Sequence, residues 1–155
     1  RNKLGRDADF IIVDVHGEAT SEKMALGHLV DGRASMLVGT HTHVPTADHR
    51  ILAGGTAYQT DTGMCGDYDS VIGMEKIGAL DRFRGRSGAR LSVALGPVSL
   101  CGLFVESSEK GLAETIEPLR RGGVLAPELT LDVGFFPDYA TTYCYSFSSV
   151  HCRGC

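Results

Sequence analysis

The sequence predicts an α/β fold in which strands and a helix alternate. Three observations support this class. An apolar run at residues 8–15 is followed closely by a helical pattern, a second apolar run occupies residues 34–39, and a strand-like segment covers residues 55–60. Strand, helix and strand joined by short connections are typical of a βαβ unit, whose two strands are parallel.

The first element is a strand at residues 8–15, ending at His16. Its centre, Phe10-Ile11-Ile12-Val13, is continuously apolar. That pattern is typical of a strand buried on both faces. The second strand, residues 34–39, is expected to lie beside it.

The helix between these strands is predicted within residues 19–33. Thr20 or Ser21 would cap its amino terminus, and Asp31-Gly32 would end it. Its apolar positions follow helical spacing and are expected to pack on the sheet: Met24, Ala25, Leu29 and Val30.

Later segments favour antiparallel structure. Residues 91–95 and 98–105 are predicted as two strands joined at Gly96-Pro97 in a hairpin. A turn is predicted at residues 107–111, and residues 112–119 form either a third strand or a short helix. The basic, glycine-containing stretch at residues 82–90 is predicted to be mobile.

The last part of the chain differs from what precedes it. Residues 122–155 are rich in aromatic, hydroxyl and cysteine side chains and lack periodic hydrophobicity. We therefore predict two parts: residues 1–121 as one domain, and residues 122–155 as a poorly ordered tail of unassigned role.

Composition excludes several classes of protein. The net charge of the 155-residue chain is −4 and it has no basic block, so no nucleic-acid-binding surface is expected. It contains neither an apolar run of membrane-spanning length nor a leader-like segment. Its five cysteines do not suggest a disulfide framework. We therefore expect a cytoplasmic protein.

Three histidines indicate a metal site. His16 ends the first strand, and His41 and His43 follow the second. Ligands gather at the carboxyl ends of parallel strands, so neighbouring strands would bring the three imidazoles to one edge. His41 and His43 could bind one ion together, or each could bind one of two ions about 3.5–4 Å apart. An isolated His-X-His is usually a surface accident, and the upstream histidine strengthens the metal interpretation.

Four polar residues are candidates for supporting roles at the same edge. Asp14 would either orient an imidazole or be satisfied by backbone donors. Glu18 lies at the helix start, where free amides either hold an anion or are capped. Asp61 would line the pocket or serve in a turn. Thr42 separates the two later histidines and is a further pocket candidate.

Several blocks of the chain resemble a known family. They are FIIVDVHGEATSEKMALGHLVDGR, VGTHTHVPTAD, ILAGGTAYQTDTGMCGDYDSVIGM and ALGPVSL. In content and order they resemble the carboxyl-terminal half of the YmdB-like bacterial metallophosphoesterases, within the calcineurin-like phosphoesterase superfamily. The resemblance covers roughly residues 7–119, and its THTH core and the spacing from His16 are specific.

The resemblance implies a four-layer α/β/β/α sandwich whose amino-terminal half is missing from this sequence. It implies two divalent metal ions, iron or manganese with zinc as an alternative, and hydrolysis of a small phosphodiester, favouring 2′,3′-cyclic nucleotides. His16 and His41 would bind one ion and His43 the other. The family's remaining ligands and its proton-donating histidine have no counterpart here. A homo-oligomer is also implied.

Two other interpretations remain open at this point. The chain could be a truncated domain that binds metal through a partial site and catalyses nothing. A zinc amidohydrolase also uses His-X-His after a strand, but it draws further ligands from later strands, and no suitable residues follow here.

Overall fold

The computed structural model describes residues 8–86, 88 and 90–128, together with the backbone of residues 143–145. The predicted βαβ unit is confirmed. Strand β1 (Ile12–His16) is followed by helix α1 (Thr20–Val30) and strand β2 (Met36–Thr40). β1 and β2 are parallel, and their register places His16 opposite Thr40.

The first sheet has the order β1-β2-β4-β3. Strand β4 (Ala57–Gln59) lies parallel to β2 and confirms the strand predicted at residues 55–60. Strand β3 (Arg50–Ile51), which the sequence analysis did not predict, pairs antiparallel with β4. Because β4 is the next strand in the order, β2 lies inside the sheet.

The prediction that the first strand is buried on both faces is wrong. Within the described part of the chain β1 lies at the sheet edge, and its residues Asp14 and His16 are exposed. β2 is the buried strand, with four successive buried residues from Met36 to Gly39. Continuous hydrophobicity marked both strands, but only β2 has neighbours on each side.

The second sheet is antiparallel. It contains β5 (Gly66–Asp67), β6 (Val98–Ser107) and β7 (Ala113–Gly122) in that order, and β8 (Tyr143–Tyr145) also pairs with β6. The predicted turn at residues 107–111 joins β6 to β7, where the Ser108 amide donates to the Leu112 carbonyl. The segment at residues 112–119 is therefore a strand rather than a helix.

The predicted hairpin between residues 91–95 and 98–105 is wrong. Residues 91–95 contribute a single bridge, between Val93 and Met74. The residues on either side of Val93 are hydrogen-bonded to another loop, since the Ala94 amide donates to the Gly73 carbonyl and the Ser92 carbonyl accepts from the Glu75 amide. These bonds to the loop before α2 occupy backbone groups that a hairpin would need.

Helix α2 (Lys76–Phe83) takes in the first two residues of the stretch predicted to be mobile. Residues 87 and 89 of that stretch lie outside the described residues. Most of the predicted tail at residues 122–155 also lies outside them. In its described part, Glu128 pairs with Arg120 through backbone and side chain, and β8 lies along β6.

The core forms two clusters, one on each face of the first sheet. Met36, Val38 and Ala57 pack against Leu103 and Val105 of the second sheet. On the opposite face, the cluster contains Leu37, Leu52 and Tyr58 with Val30 of α1 packed against it. The described elements therefore form a helix layer, a mixed sheet and an antiparallel sheet.

The apolar stripe predicted for α1 is largely wrong. Met24 and Leu29 are 37% and 63% exposed, whereas Lys23 and Gly27 are buried. Gly27 allows close packing, because a Cβ there would lie 2.7 Å from the ring of Tyr58. Within the described residues, neither Thr20 nor Ser21 caps the helix; Ala19 holds the cap position without a side-chain hydrogen bond.

Among the described helices, neither has the length and apolar character needed to cross a membrane.

Candidate metal site at the strand ends

The structure brings His16 and His41 into contact. His16 is the last residue of β1, and His41 directly follows Thr40, the last residue of β2. Nε2 of His16 lies 3.3 Å from Nδ1 of His41. The ring centroids are 5.1 Å apart, with an interplanar angle of 74°. The parallel register therefore produces the convergence that the sequence predicted for these two residues.

Each imidazole has a polar group at its far nitrogen. Thr40 Oγ1 lies 3.0 Å from His16 Nδ1, and a carboxylate oxygen of Glu18 lies 3.3 Å from His41 Nε2. An ionised carboxylate only accepts hydrogen bonds, so Glu18 favours the His41 tautomer with its proton on Nε2. The lone pair on Nδ1 then faces His16. The Thr40 hydroxyl can donate or accept and so can serve either tautomer of His16.

The spacing of the two facing nitrogens fits two ligands of one metal ion. Metal–nitrogen bonds are about 2.0–2.1 Å long, which puts two nitrogens at a tetrahedral angle about 3.3–3.4 Å apart. The His16–His41 separation of 3.3 Å agrees with that value. In the part of the chain that the structure describes, no group of three or more His, Cys, Asp or Glu side chains is arranged to hold an ion. Two imidazoles alone do not make up a metal site.

His43 is placed differently from the other two histidines. Its carbonyl accepts hydrogen bonds from the Met64 amide at 3.1 Å and the Tyr68 hydroxyl at 3.0 Å. Its half-buried imidazole makes no hydrogen bond or ion pair with any described residue. Burial raises the pKa of Tyr68, which stays protonated and able to donate. The structure thus fixes the backbone of His43 without joining its ring to the pair.

Both loop histidines adopt backbone conformations that favour glycine. The φ angle of His41 is 140°, and that of His43 is 66°. Positive φ in a non-glycine residue costs free energy and concentrates at functional sites, where the surrounding structure must enforce it. This observation independently marks the loop as a candidate site.

A second loop enforces that conformation. Asp61 accepts the Thr42 amide through Oδ2 at 2.7 Å and the Gly63 amide through Oδ1 at 2.9 Å. The Asp61 carbonyl also accepts the Thr46 amide at 2.9 Å. Lys23 reaches the same carboxylate, with Nζ 3.9 Å from Oδ2, and both side chains are 1% exposed.

The other predicted supporting residues have more limited contacts. Asp14 is exposed and makes no hydrogen bond among the described residues; Thr40 instead occupies the position beside His16 Nδ1. Thr42 is exposed, and its hydroxyl donates to the Val44 carbonyl at 3.0 Å. Glu18 lies beside His41 but is 89% exposed.

Three residues of the site escaped the sequence analysis. Thr40 ends a strand of apolar residues, Lys23 has the pattern of a solvated helix residue, and Tyr68 lies in a polar loop. Only the strand register could have indicated Thr40, since it places that residue opposite His16. No local pattern distinguishes Lys23 or Tyr68.

A polar cluster beside the site holds the end of the histidine loop. Asp48 accepts hydrogen bonds from the Thr46 hydroxyl at 2.6 Å and from the Thr60 amide at 3.1 Å. Burial alone would raise the pKa of the Asp48 carboxyl, but these bonds, with that of the Thr60 hydroxyl, outweigh burial and lower the pKa. The cluster fastens the segment after His43 to the end of β4.

Solved structures share this fold. One is a hypothetical protein from Thermus thermophilus, with a TM-score of 0.68 and 44% identity over 77% of this chain and 47% of that one. Another is described as a novel phosphatase from Mycoplasma pneumoniae, with a TM-score of 0.70 and 40% identity over 77% of this chain and 43% of that one. The mixed α/β architecture is therefore similar to that of a solved structure described as a phosphatase.

The sequence matches the model of the YmdB-like protein family over residues 1–119, and the chain belongs to that family. The resemblance noted from the motifs is confirmed.

Curated relatives include a 2′,3′-cyclic-nucleotide 2′-phosphodiesterase of Bacillus subtilis, 50% identical over 101 residues. A putative phosphatase/phosphodiesterase of Mycoplasma pneumoniae is 45% identical over 104 residues. The matches cover 65% and 66% of this chain. They span only 38% and 37% of the relatives' own lengths.

Proposed function

We propose that this chain provides histidine ligands for a two-metal phosphodiesterase that hydrolyses 2′,3′-cyclic nucleotides or related phosphoesters. The main observation in its support is the 3.3 Å separation of His16 Nε2 and His41 Nδ1. Membership of the YmdB-like family supports the proposal, as does the name of the Bacillus subtilis relative. The two described sheets and α1 would form part of a four-layer α/β/β/α sandwich.

Each residue of the site has a proposed role. His16 and His41 bind one ion, and His43 binds a second. Thr40 and Glu18 orient the first two rings through their far nitrogens. The ions are proposed to be iron or manganese, with zinc as an alternative, since imidazole suits each of them. When bound, they supply Lewis-acid activation of water and of the phosphate.

The proposal places the remaining ligands and the proton donor outside the described residues. The described histidines supply nitrogen ligands only, and a two-metal site also needs bridging oxygen ligands. The net charge of −4 is compatible with a site in which ions, rather than lysines and arginines, attract the phosphate.

The test is hydrolysis of 2′,3′-cyclic AMP by the purified protein with Mn²⁺, compared with His41→Ala. We expect the variant to lose most of its activity and bound metal. Equal rates and equal metal content in the two proteins would refute the assignment.

A second candidate is a half-site that binds metal without catalysis. This candidate is favoured because the chain covers only 38% and 37% of the lengths of the two curated relatives. The same assay separates the candidates, because a half-site takes up Mn²⁺ at the histidines and hydrolyses no cyclic nucleotide.

A further inference from the structure

We propose that Asp61, backed by Lys23, is a positioning residue that holds His41 and His43 in their metal-binding conformation. The inference rests on the proposed function, because it assigns the buried ion pair a task at that same site. The side chains of Asp61 and Lys23 are each 1% exposed.

The Asp61 carboxylate binds two backbone amides, one in each of two loops. One oxygen accepts the amide of Thr42, which lies between the two histidines, at 2.7 Å. The other accepts the amide of Gly63 at 2.9 Å. A single buried side chain therefore links the middle of the histidine loop to the loop after β4. A shift of Asp61 would change the positions of the residues on either side of Thr42.

The backbone conformation of the two loop histidines has a free-energy cost. Positive φ at His41 and His43 costs roughly 1–3 kcal/mol for each residue and persists only where neighbouring contacts enforce it. Without the bond to Asp61, the Thr42 amide would no longer be held, and the loop could relax toward ordinary φ values. The ring of His41 would then leave its place 3.3 Å from His16.

The side chain of Lys23 is buried beside Asp61. Its ammonium group is 1% exposed, lies 3.9 Å from Asp61, and has no hydrogen-bond partner among the described residues. Burial of such a charge costs free energy, so stability alone does not account for it. The aliphatic part of the Lys23 side chain lies against the end of β2, where a Cβ on Gly39 would be 2.8 Å from Lys23 Cδ. Lys23 thus places a positive charge beside the carboxylate beneath the loop.

The chain offers a matched control for Asp61. Asp67 is also buried, at 7% exposure, and its carboxylate also accepts two backbone amides, from Asp69 at 2.8 Å and Gly96 at 3.0 Å. It lies in β5 of the second sheet. Asp61→Asn and Asp67→Asn therefore remove the same chemistry from different places.

The experiment is titration of both variants with Co²⁺, followed by the visible absorption of the bound ion. Loss of a supporting hydrogen bond at metal sites weakens binding about 10–100-fold. We expect Asp61→Asn to bind Co²⁺ at least about tenfold more weakly with a changed spectrum, and Asp67→Asn to match wild type in both. Unchanged affinity and spectrum in Asp61→Asn would overturn the inference.

A second measurement decides the inference independently of metal. Amide hydrogen exchange at Thr42 should be about tenfold faster in Asp61→Asn than in Asp67→Asn, and equal exchange would contradict the positioning role. If wild type and His41→Ala bind Co²⁺ equally, the proposed function fails, while the exchange result still reports on Asp61. The Lys23→Met/Asp61→Asn double variant should bind Co²⁺ no more weakly than Asp61→Asn, because the pair acts as one unit.

Discussion

His16 lies directly opposite Thr40 across β1 and β2, and the hydroxyl of Thr40 lies 3.0 Å from His16 Nδ1. This pairing turns the other nitrogen of His16 toward His41, which follows Thr40 in the chain. One position in a parallel register therefore sets both the orientation of one imidazole and the location of the next.

Replacing His41 separates its ligand role from its backbone strain. His41→Ala and His41→Gly should both lose bound Mn²⁺. His41→Gly should be about 1 kcal/mol more stable than His41→Ala, because glycine adopts the observed φ of 140° without a Cβ penalty. Metal analysis and urea unfolding measure the two effects. Equal stability of the variants would show that the backbone relaxes once the ring is removed.

Glu18 should matter for metal affinity and little for stability. Its side chain is 89% exposed, so Glu18→Ala should change the free energy of unfolding by less than about 0.5 kcal/mol. Loss of its carboxylate removes the bias toward the His41 Nε2–H tautomer, and Co²⁺ affinity should fall about tenfold. Glu22→Ala, in the first turn of α1, is the control and should leave affinity unchanged. A full loss of binding would indicate a direct ligand role instead.

Gly39 should tolerate no side chain. A Cβ at this position would lie 1.8 Å from the Thr60 carbonyl oxygen, so Gly39→Ala must separate β2 from the segment after β4. We expect a loss of about 3 kcal/mol in the free energy of unfolding. Gly17→Ala is the control, because a Cβ there meets nothing within 4 Å. Comparable stability of the two variants in thermal unfolding would contradict this close packing of Gly39 against Thr60.

The stabilising contribution of Asp48 should be lost in acid. The pKa of Asp48 is lowered in the folded state, so its contribution is fully present above the unfolded pKa of about 4 and is lost as the pH falls from there through the lower folded-state pKa. Asp48→Asn should cost about 1–3 kcal/mol at pH 7 through its lost hydrogen bonds. The difference between wild type and variant should shrink as the pH is lowered from that unfolded pKa through the folded-state pKa. A difference that stays constant with pH would refute this role.

The sequence was sufficient for the βαβ unit and for the meeting of His16 with His41. Both follow from hydrophobic runs that end in polar residues and from short connections, which constrain strands to be parallel neighbours. The turn at residues 107–111 was also predictable from its composition.

Errors arose where tertiary contacts decided the outcome. The face of α1 that packs inward carries Gly27 against Tyr58 and Lys23 beside Asp61, and hydropathy ranks neither Gly27 nor Lys23 as a core residue. Residues 91–95 have strand-like composition, yet backbone bonds to the loop before α2 occupy groups on either side of Val93. Thr40 and Tyr68 gain their importance only from neighbours distant in the chain.

His16 and His41 are separated by 25 positions in the sequence, and the two side chains meet only when β1 has paired with β2. An ion bound by both rings would therefore act as a reversible cross-link that forms only in the folded state, so its binding free energy would add to the free energy of unfolding. By mass action, the melting temperature should climb with free Mn²⁺ and drop when a chelator is added.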